Sequence, residues 1–413
     1  MIQNTFDMMG NEIEDLKKIL IDFSPNFVAI SLRNIDDVNS LKNNVFISKT
    51  KDVVDTVREF SKAIIIIGGS GYSIFPELIT KFVKPDFGII GEGEISLTNL
   101  LKSINKGKID YYIPGLVHQI NQEIIINPNN NSITDVYLNY DYKLLDYYWA
   151  ASGMINIQTK RGCPFNCIYC TYPIIEGNKV RCLNNDSILE TIAKLKRDKG
   201  YDYFFFTDSV FNIHPTECID LAENLIKSKV NIKWGAYFSP FRMKYEEMAI
   251  FKKAGLTHIE FGTDSLSDDV LAAYNKPFRF EDVVNASEIA DKLNIFQAHF
   301  LIFNGVGETI DTIQETIYNS QKLGKTVLFP FWGMRIYPNT ELEKIAFEKQ
   351  RINEKIQEIE PLYYYSIDMD IEHIKSLAKQ SNKRWVFPDE DFSRAIEKMR
   401  KKNKKGPLWE YLI

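Results

Sequence analysis

Residues 154–170 read Met154-Ile-Asn-Ile-Gln-Thr-Lys-Arg-Gly-Cys-Pro-Phe-Asn-Cys-Ile-Tyr-Cys170. Met154 to Lys160 has the apolar content and alternation of a short strand. The residues after it place Cys163, Cys167 and Cys170 in one loop at the spacing CxxxCxxC. Three thiolates can hold a cubane of four irons and leave one iron without a protein ligand, which a catalytic cluster requires. A structural zinc site would need a fourth ligand. No other cysteine or histidine lies at a spacing that completes one. Only five cysteines occur in the chain, so this clustering suits metal chemistry in a reducing compartment better than a disulfide framework.

Downstream of the loop, further strands are expected at Tyr203 to Thr207, Ile232 to Tyr237, His258 to Gly262, Gln297 to Phe303 and Val327 to Pro330. Helical stretches such as Ser187 to Lys199 and Glu281 to Leu293 separate them. Six βα units make a partial (β/α)6 barrel over residues 150–342. Upstream, strands at Phe27 to Ser31, Ala63 to Ile67 and Phe87 to Ile90 alternate with helical patterns. That rhythm predicts an N-terminal α/β domain with a doubly wound, Rossmann-like sheet, at residues 1–140. A strand-turn-strand stretch near Tyr111 to Ile126 leads to the asparagine-rich segment Asn127 to Asn131, which reads as a boundary loop. Residues 343–413 read as a charged C-terminal helical segment ending in the basic run Lys398 to Lys405.

The composition sets limits on function. The 413 residues are 45% hydrophobic with a formal net charge of -5, which fits a globular protein and excludes a general nucleic-acid binder. No stretch approaches the roughly 20 apolar residues that span a bilayer, and no signal peptide is recognisable at the N-terminus, so a cytoplasmic protein without a membrane partner is expected. Cys182 and Cys218 read as structural thiols, and His258 and His299 as packed histidines on barrel strands.

The cysteine loop resembles that of the radical SAM superfamily. The resemblance implies that Cys163, Cys167 and Cys170 hold a 4Fe-4S cluster whose open iron chelates S-adenosylmethionine, and that cleavage of this molecule yields a 5'-deoxyadenosyl radical. Tyr169 matches the aromatic residue before the third cysteine, near the adenine. Asp208, in Thr207-Asp-Ser209, is the candidate for the methionine amino group. Asp264 and Ser265, in His258-Ile-Glu-Phe-Gly-Thr-Asp-Ser265, are the candidates for the ribose. Phe300-Leu-Ile-Phe-Asn-Gly-Val-Gly-Glu-Thr309 resembles the fifth-strand motif and adds Gly307 and Glu308 as S-adenosylmethionine-binding candidates. Tyr337-Pro-Asn-Thr-Glu-Leu342 resembles the sixth, with Asn339 in place of glycine. For each polar residue after a strand, the alternative role is a helix cap.

The first domain resembles the cobalamin-binding domain that precedes many such barrels. Ser31, Gly68, Gly69, Ser70 and Gly71, with Gly91, Glu92 and Gly93, would form the cradle, because ligands bind a doubly wound sheet at the carboxyl ends of its strands and glycines admit close approach. The resemblance implies a cobalamin-dependent methyltransferase acting on an unactivated carbon of a small molecule or peptide, served by an electron donor such as flavodoxin or ferredoxin. Two alternatives stay open. One is a cobalamin-independent cyclase or rearrangement enzyme with a vestigial first domain; the other is a metal-stabilised binding module.

Overall fold

The computed structural model describes residues 12–42, 44–130, 133, 140–353, 356 and 358–412. The chain divides into two units. The first comprises Met1–Ile133, Tyr169–Asn178 and Arg335–Leu362, and the second Thr134–Ile168, Lys179–Met334 and Tyr363–Ile413.

Four consecutive isoleucines, Ile64 to Ile67, explain the first unit. A strand apolar at every position must be covered on both faces. Strands β1 (Phe27–Ser31), β2 (Ile64–Gly68), β3 (Phe87–Ile89), β4 (Leu116–Ile120) and β5 (Glu123–Ile126) form one sheet in that order. Ile65 and Ile67 face helices α1 (Glu12–Phe23), α2 (Ile47–Phe60) and α4 (Pro76–Val83) through Leu16, Leu20, Val54, Val57, Ile79 and Val83; α3 (Ser70–Ile74) precedes α4. Ile64 and Ile66 face α5 (Glu94–Asn105) through Leu97, Leu100 and Ile104. The expected α/β architecture with helices on both faces is present. Only β1 to β3 run parallel, however, and β4 and β5 close the sheet as an antiparallel hairpin. Arg335 joins residues 335–362 to this unit by a buried ion pair with Asp36, 3.0 Å.

The second unit is a barrel-like sheet in which every neighbouring pair of strands is parallel. Its strands are β6 (Ile155–Ile157), β9 (Tyr203–Phe206), β10 (Lys233–Phe238), β11 (Leu256–Asp264), β12 (Phe296–Phe303) and β13 (Thr326–Trp332). A small antiparallel hairpin, β7 (Lys160–Arg161) with β8 (Arg181–Cys182), stands outside that sheet. All six expected barrel strands are found. A seventh, Arg384–Trp385, pairs parallel with β13 and comes from the region read as purely helical. Two residues are too few to show a period, which hid it from the sequence.

The helices outside the barrel have conventional ends. Asn185–Lys199, for example, begins where the Asn184 side chain accepts from the Ser187 amide, 3.0 Å, and ends at Gly200 in the left-handed conformation. Along β12 and β13, Leu301, Phe303, Leu328 and Trp332 pack outward against helices. The alternate positions Phe300, Ile302, Phe329 and Phe331 are half-buried and turn inward. At the amino ends of the strands, residues near 410 form the floor. Glu410 accepts from the Tyr203 hydroxyl and pairs with His258 Nδ1 at 2.9 Å, while Trp409 Nε1 donates to Glu260 at 3.2 Å.

Candidate active site

The cysteine loop leaves β6 at the carboxyl end of the barrel sheet, the end at which α/β barrels carry their chemistry. Asp208, at the end of β9, fixes its base. The Asp208 carboxylate accepts from the amides of Thr159, 2.6 Å, and Lys160, 3.0 Å, from the Thr159 hydroxyl at 2.5 Å, and from the Lys160 ammonium at 2.9 Å. Both charged groups are buried, at 0% and 3% exposure. In this arrangement Asp208 anchors the base of the loop, its carboxylate taken up by four donors of the protein. Lys160, which the sequence reading passed over, holds the matching charge.

The far side of the loop is clamped by the residues after Asp268–Ala273. The Ile168 amide donates to the Tyr274 carbonyl, 3.2 Å, and Asn275 Nδ2 donates to the Asn166 carbonyl, 2.8 Å. Next in sequence, Lys276 pairs with Asp264 at 2.7 Å and donates to the Gly262 carbonyl at 2.9 Å. Burial pushes the Cys167 thiol up, and the nearby Lys276 ammonium pulls it back toward the thiolate that a metal requires. Cys163 and Asp264 act on the same thiol. Asp264 itself sits at φ 64, a left-handed turn that aspartate tolerates.

Ser265 follows it in the chain. Its hydroxyl is fully buried, within 3.1 Å of the Thr316 hydroxyl, and accepts from the Ser267 amide. These contacts are of the structural, capping kind that is the alternative role for Ser265. Gly307 is exposed, with φ 78. Glu308 is 1% exposed, and one carboxylate oxygen accepts from the amides of Asn304 and Gly305 while Oε1 has no partner among the described residues. Burial pushes its pKa up to about 8, against the two amides that lower it, so the carboxyl is largely neutral at pH 7. Glu308 and Asp264 both act on the buried Tyr274.

Cys163, Cys167, Lys276, Asp264, Tyr274 and Glu308 thus gather at one end of the second unit. Soft thiolates suit iron, and a buried neutral carboxyl with an orphan oxygen suits a polar nucleoside edge, so these residues fit a cluster with bound S-adenosylmethionine. Tyr169 and Cys170 are counted with the first unit, where Cys170 acts on Tyr337 and Ile175 packs into the core. Asn339, in the sixth motif, adopts φ 62 and so replaces the usual glycine without leaving its conformation.

In the first unit, Ser31, Gly68 to Gly71 and Gly91 to Gly93 all fall at the carboxyl ends of β1, β2 and β3. Ser31 is exposed, and Gly68 and Ser70 are half-buried. A reason for the glycines lies within the protein. A Cβ on Gly69, which has φ +100, would lie 2.5 Å from the Leu32 carbonyl oxygen, and one on Gly71 would lie 3.0 Å from that of Arg33. A Cβ on Gly91 would lie 2.6 Å from Asn129 Nδ2. These positions serve close packing within the protein. Glu92 accepts from the Ile133 amide, 3.1 Å, and so holds the returning chain.

Fold and site together combine a parallel barrel-like sheet with a three-cysteine loop at the carboxyl end of its first strand. Residues 157–317 match the profile of the Radical SAM superfamily. A methyltransferase of uncharacterized role from Pyrococcus horikoshii is 24% identical, over 78% of this chain and 71% of its own. The tryptophan 2-C-methyltransferase of Streptomyces laurentii is 20% identical, over 82% and 68%. The solved structure of the radical S-adenosylmethionine methyltransferase TsrM from Kitasatospora setae, with cobalamin and a 4Fe-4S cluster bound, superposes with a TM-score of 0.88. It is 18% identical and covers 97% of this chain and 89% of its own.

Proposed function

We propose that the chain is a cobalamin-dependent radical SAM methyltransferase that alkylates an unreactive carbon of a small molecule or peptide. The observation that carries the proposal is the presence in one chain of a sheet with Ser31, Gly68 and Ser70 at the carboxyl ends of its parallel strands and of a barrel with Cys163 and Cys167 at the carboxyl end of its own. The likeness to TsrM over nearly the whole chain supports it. When bound, the cluster supplies an electron to the sulfonium of S-adenosylmethionine and cobalamin supplies a transferable methyl group.

The residues of the chain bind and orient. Cys163, Cys167 and Cys170 hold iron. Tyr274 and Asn275 fix the loop backbone that would present the cysteines to the cluster. Lys276 holds Asp264, which would meet the ribose, and Glu308 would donate or accept at its second oxygen according to its proton. The inward-facing Phe300, Ile302, Phe329 and Phe331, with Tyr237, give the barrel wall an apolar, aromatic character that favours an apolar carbon centre and excludes water. An electron donor such as flavodoxin or ferredoxin completes the system, and a reducing cytoplasm suits five free cysteines.

The test is anaerobic reconstitution with iron, sulfide and hydroxocobalamin. Wild-type protein should take up a four-iron cluster and show corrin absorption. Replacing Cys163, Cys167 and Cys170 together by alanine should abolish 5'-deoxyadenosine formation. Persistence of that product in the triple variant would sink the radical reading, and lack of corrin uptake by the wild type would remove the methyl donor.

A further inference from the structure

Cys182, His214 and Glu217 lie apart from the cluster loop and take no part in the site described above. Each offers one ligand atom, and the three atoms all lie within 4.8 Å of one another. Cys182 is in strand β8, paired in register with Lys160 of β7. His214 immediately precedes the helix Pro215–Ser228, and Glu217 is in its first turn. The Glu217 carbonyl accepts from Asn185 Nδ2 at 3.2 Å, which ties that turn to the neighbouring helix. We propose that this trio is a second metal site, which takes a thiophilic divalent cation, zinc above all, with water as the fourth ligand.

The donor set selects the metal class. Sulfur, imidazole nitrogen and carboxylate oxygen together suit zinc, whereas magnesium and calcium take oxygen alone. The spacing is also close. Tetrahedral bonds of about 2.0–2.3 Å set ligand atoms about 3.5 Å apart. His214 Nδ1 and Glu217 Oε2 are already at 3.1 Å, and the thiol has to close by about an ångström, which side-chain rotation supplies. The His214 and Glu217 side chains are 50% and 44% exposed, so an ion can enter and a water can remain. Lys160, whose ammonium acts on Cys182, is neutralised by its ion pair with Asp208. On binding, Cys182 loses its proton to solvent and His214 binds as the neutral imidazole. No electrons move.

Such an ion would join hairpin β7–β8 to the start of Pro215–Ser228. Lys160 stands three residues before Cys163, so the ion would add to the Asp208 pairing that already holds this backbone. Its role is structural.

The experiment uses the reconstituted holoprotein, dialysed anaerobically against zinc buffered at nanomolar free concentration, with zinc and iron measured by mass spectrometry. Wild type should hold about one zinc per chain beside its cluster iron. Cys182→Ser and His214→Ala should each lower zinc at least about tenfold with iron and circular dichroism unchanged. The variant lacking Cys163, Cys167 and Cys170 should keep its zinc, which excludes the cluster cysteines as ligands. Cobalt(II) in place of zinc should give the thiolate-to-cobalt absorption of a tetrahedral site, absent in Cys182→Ser. Wild type without zinc, or zinc that survives both single substitutions, overturns the proposal.

Discussion

Glu308→Gln should stabilise the second unit, and increasingly so as pH rises. The buried carboxyl titrates at about 8 in the folded chain against 4.5 unperturbed. A group whose folded pKa is raised contributes fully below its unfolded pKa, and that contribution is lost as pH climbs through the folded value. At pH 5 the ionisation penalty is under about 1 kcal/mol, at pH 7 about 3 kcal/mol, and at pH 8 about 4 kcal/mol. Glutamine has the shape of the protonated acid, retains an acceptor for the Asn304 and Gly305 amides, and carries no such penalty. Urea unfolding of wild type and variant between pH 5 and pH 8 would therefore show a stability gap widening by about 3 kcal/mol. A gap independent of pH, or a variant less stable throughout, would refute the assignment of a neutral buried carboxyl to this position.

Asp208→Asn removes one partner of a buried ion pair and leaves the Lys160 ammonium uncompensated, so stability should fall by about 3–5 kcal/mol and reconstituted iron should drop; melting and iron analysis measure both. Asp264→Ala should weaken S-adenosylmethionine binding roughly tenfold while iron is retained, because a charge-assisted contact is lost. Ser265→Ala should leave that affinity unchanged and cost about 1 kcal/mol in urea unfolding, its hydroxyl being engaged with Thr316 and the Ser267 amide. Gly69→Val should collapse the first unit, seen as lost hydrogen-exchange protection in β1 and β2, because the new Cβ meets the Leu32 carbonyl oxygen; a folded variant that has lost only corrin binding would restore the ligand-approach explanation.

The cysteine spacing and the barrel strands were legible because both are local patterns: thiol separation is read by counting, and strands are read from period and apolar content. What a side chain touches is not local. Asp208 and Asp264 each follow a strand and look alike in sequence, yet Asp208 is consumed by Thr159 and Lys160, some 50 residues earlier, whereas Asp264 meets Lys276. The glycines of the first unit taught the same lesson in reverse. Their need for a small residue was readable, but the neighbour responsible, the Leu32–Arg33 backbone, came from an adjacent strand end. The clamp by Tyr274 and Asn275 works through backbone carbonyls, which carry no sequence signature, and the neighbouring Lys276 was its nearest hint.

The floor of the barrel bears on how the protein is made. Glu410 and Tyr203 are 207 positions apart, and synthesis at roughly 5–20 residues per second puts about 10–40 s between their emergence. During that interval His258 and Glu260 stand at the end of an unfinished sheet, and β13 waits for Arg384–Trp385 as its edge partner. The first unit likewise waits for Arg335 to neutralise Asp36. A nascent chain therefore exposes sticky strand edges for many seconds, and chaperone occupancy on the ribosome should persist until residue 410 is free.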